Sequence, residues 1–520
     1  VVNYLNSVNI GKNVWGDIRD GNDLWERFCN LGPPKQNSKK RNTDLDKYAP
    51  HPTKNQRGAA LRDEQLRRSE ASNVKRQNAM PTATGYPTPE ILHSEAMIGG
   101  YFLSGNGYDD VAVLSIPTFM PKDDNATSEF QDTVGVFLKR ASSAGKKKLI
   151  IDLRGNGGGR VFLGYDLFKQ LFPSIEPYGA TRFRANEAFN LAGQAMTEAL
   201  ANYTYEDALQ YYKENGAKGL ASQWKSIFNY RLPLSVTKEN YTSWEEYFGP
   251  HEFNNDNFTT PSQWDLLNFF SDDFNMDVTG YRTRAGDLDT TQHFKADNIV
   301  LLQDGSCGST CAVFSEMAKT QGHIQQVVVG GKPETGPMQG VAGTKGAQVW
   351  TISAVHEEAA TALEALKDKT DQINNTDPYN TAWAGRPLMR TNYDDNGAAT
   401  SRINLRDNIR ANDTDEIPLE FTYEAADCRF FYTAAMVRDP VEVWKRAADA
   451  RWGDVEKVCV EGSTGHPSSL SGAFAVGNNS TNTPNSTSTP NSKTGTGIRM
   501  GVDARLLTII MVVFGVVAIF

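Results

Sequence analysis

The sequence predicts an α/β layered fold with parallel strands, and three stretches predict it. The apolar run Asp110–Pro117 is followed by Phe130, Val134, Phe137, Leu138 and Ala141, a stripe at helical spacing, and then by a second apolar run, Lys148–Leu153. A glycine-rich turn, Arg154-Gly155-Asn156-Gly157-Gly158-Gly159, then leads into a helix over Val161–Phe172. The pattern repeats later: the apolar run Ile299–Leu302, the small-residue turn Asp304-Gly305-Ser306-Cys307-Gly308-Ser309-Thr310-Cys311, and a helix through Ala312–Ala318. Strand, helix, strand in that order brings the strands together in parallel, because the helix is the crossover.

The other elements follow in chain order. The chain opens mid-pattern on Val1-Val2-Asn3-Tyr4-Leu5, without an initiator methionine, so it reads as a fragment or a processed product. Residues 1–95 read as an N-terminal remnant and a polar linker. Within them, 33–80 is rich in Lys, Arg, Asn and Gln and poor in apolar residues. The folded region is expected over 96–460, interrupted by an aromatic-rich insertion at 174–290. In that insertion, helical pieces are expected over Ala199–Tyr212 and Ser262–Phe270. Val327–Gly331 reads as another strand, 366–414 as a polar loop, and Pro418–Tyr423 as a strand. A final helix is expected over Pro440–Trp452, leading to Cys459. Residues 461–497 are mostly Ser, Thr, Asn, Gly and Pro and cannot bury enough apolar surface to fold, so they read as a stalk.

Composition narrows the function. The chain has 520 residues and is 39% hydrophobic, enough for a sizeable core. A net charge of −9 argues against a nucleic-acid partner. There is no Cys-x-x-Cys pair and the histidines are scattered, so no metal site is expected. No cofactor is expected either: the glycine turn lacks the third glycine of a dinucleotide fingerprint and the Gly-Lys-Ser/Thr of a phosphate loop. Asn125, Asn202, Asn240, Asn257, Asn374 and Asn412 begin glycosylation triplets, as do Asn478, Asn479 and Asn485 in the stalk.

A serine between a strand and a helix has free backbone N–H groups beside it, a sensible place for a nucleophile and half of an oxyanion hole. Taken alone, the same serine is an ordinary helix cap. The glycine turn alone is equally compatible with tight strand–helix packing.

Together the two turns, Leu149-Ile150-Ile151-Asp152-Leu153-Arg154-Gly155-Asn156-Gly157-Gly158-Gly159 and Val300-Leu301-Leu302-Gln303-Asp304-Gly305-Ser306-Cys307-Gly308-Ser309-Thr310-Cys311, resemble the S41 family of serine peptidases. The likeness is to its fungal branch related to the chlamydial protease-like activity factor, over about residues 110–460. The resemblance implies a crotonase/ClpP-like β-β-α superhelix for the core and a protein or peptide substrate. It implies Ser309 as nucleophile, with Ser306 as the alternative. It also implies an oxyanion hole from the amides of Gly158, or Gly157, and Thr310. Glu424, in Tyr423-Glu424-Ala425-Ala426-Asp427, corresponds to the carboxylate that orients a catalytic histidine. Its other reading is a strand-edge salt bridge. The general base stays unassigned: Lys332 and Lys345 miss the lysine position of one branch, and His51 and His93 do not match the histidine context of the other. That histidine is expected upstream of the present N-terminus. Cys428 and Cys459 flank the last helix and are candidates for a disulfide in an oxidising compartment. Cys307 and Cys311 either pair or stay as small core residues.

The end of the chain is expected to be a glycosylphosphatidylinositol signal over 498–520. Small residues precede it, with Asn491, Ser492 or Gly495 as attachment candidates. A short spacer and the apolar run Leu506–Phe520 follow. That run would span about 22 Å as a helix at ~1.5 Å per residue, short of a hydrocarbon core of about 30 Å. The sequence therefore points to a secreted or surface serine endopeptidase, held outside the plasma membrane or in the cell wall by a lipid anchor. The alternative is a catalytically inactive binding or scaffold protein on the same fold. Acyl-CoA chemistry, a third use of such a core, has no supporting feature.

Overall fold

The computed structural model describes residues 85–272, 276–342 and 402–472 apart from 414, together with 345, 347–351 and a few residues between 354 and 362. Most of the expected N-terminal remnant, stalk residues 473–497 and the anchor signal lie outside the described residues, with Cys29, His51, Asn374, Asn491, Ser492 and Gly495. The first part of the expected stalk, 461–472, is folded onto the core instead: Ser463 and Ser469 are buried, and Ser463, Ser468 and Ser471 hydrogen-bond Arg429, Ala425 and Asp427.

The elements run β1 (Ile91–Leu92), β2 (Gly99–Phe102), β3 (Val111–Ser115), α1 (Asp124–Ser143), β4 (Lys148–Asp152) and α2 (Val161–Leu171). Through the middle of the chain come β5 (Ala180–Arg182), α3 (Glu187–Ala199), α4 (Tyr205–Asn215), α5 (Gly219–Trp224), β6 (Leu234–Ser235), α6 (Trp244–Phe248), β7 (His251–Phe253), β8 (Asp256–Phe258) and β9 (Ser262–Gln263). The order resumes with β10 (Ile299–Gln303), α7 (Thr310–Thr320), β11 (Gln325–Val329), β12 (Ala347–Thr351), β13 (Arg402–Ile409), β14 (Cys428–Phe430), α8 (Pro440–Trp452) and α9 (Val455–Val458).

The main sheet has the order β1-β2-β3-β4-β10-β11-β14. Its four pairs from β3 to β14 are parallel, and β1 and β2 join antiparallel at one edge. The central strands β3, β4 and β10 are mostly apolar because both of their faces are covered. Ala112, Leu114, Leu149, Ile151, Ile299 and Leu301 face α1, α2 and α7. Val111, Val113, Ile150, Val300 and Leu302 turn the other way, toward Trp444 and Ala447 of α8. A second sheet, β12-β13-β5-β9-β6, is antiparallel.

Several local expectations give way to other structures. Ser262–Phe270 is not helical: β9 takes its start, and Asp265 and Asn268 then cap turns by accepting from the amides of Leu267 and Phe270. Ala199–Tyr212 is broken after Leu200, and a new helix begins at the Thr204–Asp207 capping box. Part of the expected polar loop is strand β13. Pro418–Tyr423 contains one 3₁₀ turn, Leu419–Phe421, in place of a strand.

Candidate functional site

Strands β4 and β10 are neighbours, paired from Ile299↔Leu149 to Leu302↔Asp152, so the turns that follow them emerge side by side. This is the end of a parallel sheet where α/β proteins place their sites. The sequence of each turn then fixes it to the other. Gly308 N–H donates to the Asn156 carbonyl at 3.2 Å, and Thr310 Oγ1 donates to the Gly159 carbonyl at 2.7 Å. Asp304 spans both turns, accepting from Gly155 N–H on one oxygen and Ser306 N–H on the other, each at 3.0 Å. Burial pushes the Asp304 carboxyl up, against the pull of those two amides. Beneath the first turn, Arg154 closes on Asp152 at 2.8 and 2.6 Å, and Trp444 Nε1 donates to the same carboxylate at 2.7 Å.

Ser309 stands at the cap position of α7 with φ 50° and ψ −124°, and its side chain makes no capping hydrogen bond. A non-glycine residue with positive φ is strained. A serine that neither caps the helix nor relaxes its backbone is not an ordinary N-cap. Cys307 and Cys311 are joined by a disulfide around it, and both are fully buried. Ser306 is exposed and lies outside this bend.

Gly158 lies directly against Ser309. A Cβ built on Gly158 would come within 2.6 Å of Ser309 Cβ, 2.7 Å of the Gly308 carbonyl oxygen and 3.0 Å of Thr310 N, at φ +100°. This position needs glycine for both space and conformation. Gly158→Ala is expected to lower turnover on the order of 10²-fold by displacing Ser309. Peptide kinetics beside a thermal melt check this, and unchanged kinetics would detach the turn from Ser309. The Gly158 N–H donates to Asn156 Oδ1 at 2.8 Å, so this amide is engaged within its own turn. Thr310 is the first residue of α7, where backbone N–H groups of a helix lack intrahelical acceptors.

The remaining candidates lie elsewhere. Among the described residues Glu424 bonds cations and not an imidazole. It accepts from Lys319 Nζ at 3.0 Å, Lys345 Nζ at 2.6 Å and Arg410 Nη2 at 2.8 Å. Lys319 is near the far end of α7, about 15 Å along the helix from Ser309 at ~1.5 Å per residue. Burial raises the Glu424 pKa, but the three cations together overcome it and hold the carboxyl at about 2. At Lys319 burial outweighs the carboxylate and draws the ammonium down. Lys332 is exposed, opposite Glu334. His93 is buried, with Nε2 donating to the Ala126 carbonyl at 2.8 Å and Nδ1 accepting from Glu95 N–H at 3.0 Å. Cys428 and Cys459 form a disulfide. Asn125, Asn202, Asn240, Asn257 and Asn412 are all exposed.

Sequence reading missed Asn156 and Asp304 as the pins of the site. Only their short-range bonds carry a sequence signal: Asn156 Oδ1 accepts from Gly158 N–H and Asp304 Oδ1 from Ser306 N–H, each two residues on.

The sequence model of peptidase family S41 matches residues 110–348, which include both turns. Peptidase S41 family protein ustP of Aspergillus flavus is 34% identical over 407 residues, 73% of this chain and 76% of that protein. The chain belongs to peptidase family S41. Its S41 relatives include phomP1 of Diaporthe leptostromiformis, 33% identical over 396 residues. That match covers 71% of this chain and 56% of phomP1, so the chain spans just over half that relative's length. Among solved structures, mature CPAF is similar with a TM-score of 0.37 and 15% identity, over 72% of this chain and 57% of that chain. The photosystem II D1 C-terminal processing protease has a TM-score of 0.20 and 9% identity, over 49% and 39%. As an S41 member the chain is a serine-type peptidase, with protein or peptide substrates.

Proposed function

We propose that the chain is the catalytic part of a secreted or cell-surface serine endopeptidase in which Ser309 is the nucleophile. Ser309 Oγ attacks the carbonyl carbon of the scissile peptide bond, the C–N bond breaks and the amine leaves with a proton. Water then releases the acyl group from the serine. The observation that carries this reading is the uncapped, positive-φ serine at a helix N-terminus, closed on by Gly158. The developing oxyanion would meet the Thr310 N–H and an amide of the glycine turn. The Gly158 amide can serve only after leaving Asn156 Oδ1. A fluorophosphonate probe on the full-length protein, followed by peptide mapping, tests the reading. Labelling at Ser309 is expected, and its absence would overturn it.

A specific pair of observations favours the second reading, an inactive binding protein. His93 has both ring nitrogens bonded within its own hairpin and to α1, and Glu424 is committed to three cations. A fully folded protein that neither labels nor cleaves would establish that reading.

The location outside the cell rests on two supports. The five described glycosylation asparagines are exposed, and two disulfides lie in the described core. The anchor itself is read from the tail sequence. Peptide N-glycosidase is expected to reduce the mass of the native protein, and phosphatidylinositol-specific phospholipase C to release it from cells. Retention after the lipase, with the tail intact by mass spectrometry, would replace the anchor by a spanning helix.

A further inference from the structure

A cleft of about 70 Å³ runs along α7, between α2 and the second sheet. On α7 its wall includes Val313, Glu316 and Thr320, the i+4, i+7 and i+11 positions from Ser309, so Ser309 heads the same helix face. On α2 its wall begins at Val161, the first residue after the glycine turn. The near end of the cleft, at Val161, Ala312 and Val313, thus begins about one helical turn from Ser309.

Its sides are apolar: Val161, Tyr165, Trp264, Val313 and Met317. Trp264 is held in place before any ligand arrives, with the Arg406 guanidinium 4.3 Å over its ring and Phe162 edge-on at 5.7 Å. The inner end is charged. Arg410 bonds both oxygens of Glu316 at 2.7 and 2.8 Å, and Lys345 lies beside it on Glu424. Arg410 and Lys345 reach this end already held by Glu316 and Glu424. A lysine or arginine side chain entering the cleft would lose its water along the apolar walls and find these carboxylates already engaged. An acidic side chain would lose its water along apolar walls before reaching cations already engaged by carboxylates.

We infer that this cleft is a specificity subsite that takes an uncharged apolar side chain, aliphatic or aromatic, from the substrate residue adjoining the scissile bond. The inference rests on the reading of Ser309 as nucleophile. Shape and apolar contact of this kind discriminate by about 10- to 100-fold in kcat/KM.

The test uses the full-length protein and a peptide series that differs only at that residue: Leu, Phe, Ala, Glu or Lys. Leu and Phe are expected to exceed Lys by about 10- to 100-fold. Val313→Phe, which narrows the cleft, should shift preference toward Ala, and Val313→Ala should shift it toward Phe. Should one variant fail to fold, the other and the wild-type series still decide. A flat series, or one led by Lys, overturns the inference. A series led by Glu overturns the apolar class and shows that the charged end governs. Fluorophosphonate labelling is run on the same sample. Normal labelling with a flat series strikes the cleft alone, whereas absent labelling removes Ser309 as nucleophile and the cleft with it.

Discussion

Ser309→Ala is expected to abolish both fluorophosphonate labelling and peptide cleavage, a loss on the order of 10⁴-fold or more. Ser306→Ala should stay within a few-fold of the parent. The two serines share one turn, so the contrast is a strict one. Ser306 is exposed, and what ties it into the turn is its backbone N–H on Asp304, which alanine keeps. Ser309 sits on the strained bend between two disulfide-linked cysteines, and its hydroxyl is not spent on capping α7. Alanine at 309 has the same Cβ and the same backbone strain, so thermal stability should barely move. Loss of labelling with an unchanged melt therefore reports chemistry. The reverse pattern would transfer the role to Ser306 and leave the conformation of Ser309 unexplained.

Strands buried on both faces announced themselves as apolar runs, which is why β3, β4, β10 and β11 were legible from the chain. The glycine turns and their helices were legible for a related reason, since a sharp strand-to-helix turn restricts residue type. Strand β13 was hidden because two of its three described buried residues are polar. Arg406, Asn408 and Ile409 are buried, while Ile403 and Asn404 are exposed. Arg406 donates to Gln348 Oε1 at 2.5 Å and stacks on Phe183 and Trp264, and Asn408 donates to the Lys345 carbonyl. The reverse misled at Pro418–Tyr423, where Phe421 looks like an inward strand residue and is 81% exposed. In the site, Ser309 and Gly158 were named through the resemblance to the S41 family, because the residues alone read equally as a helix cap and a packing turn. The partners that hold the turns together, Asn156 and Asp304, bond across 149 to 152 positions of chain, and no local pattern encodes those bonds.

Glu424→Gln is expected to destabilise the fold by about 3–5 kcal/mol at neutral pH, the usual cost of breaking a buried ion pair by removing one partner. Its side chain is 7% exposed and binds Lys319, Lys345 and Arg410 at once. Glutamine would remove the charge that Lys319, Lys345 and Arg410 share. The folded protein holds the Glu424 carboxyl at about 2, below its ordinary value of 4.5. A depressed carboxyl contributes stability that is complete above the unfolded pKa and lost as pH falls through the folded one. The wild-type advantage over Glu424→Gln should therefore be level above about pH 5 and shrink progressively toward pH 2. Glu420 runs the other way: burial raises its carboxyl to about 7, so its contribution is lost as pH rises from 4.5 to about 7. Because Glu420 is present in both proteins, the difference between their urea-unfolding curves isolates Glu424. A variant with wild-type stability at every pH and turnover lower by orders of magnitude would return Glu424 to the role of orienting a histidine. A variant that loses stability in the stated window, with kinetics that follow the folded fraction, assigns Glu424 to anchoring the cations behind the cleft.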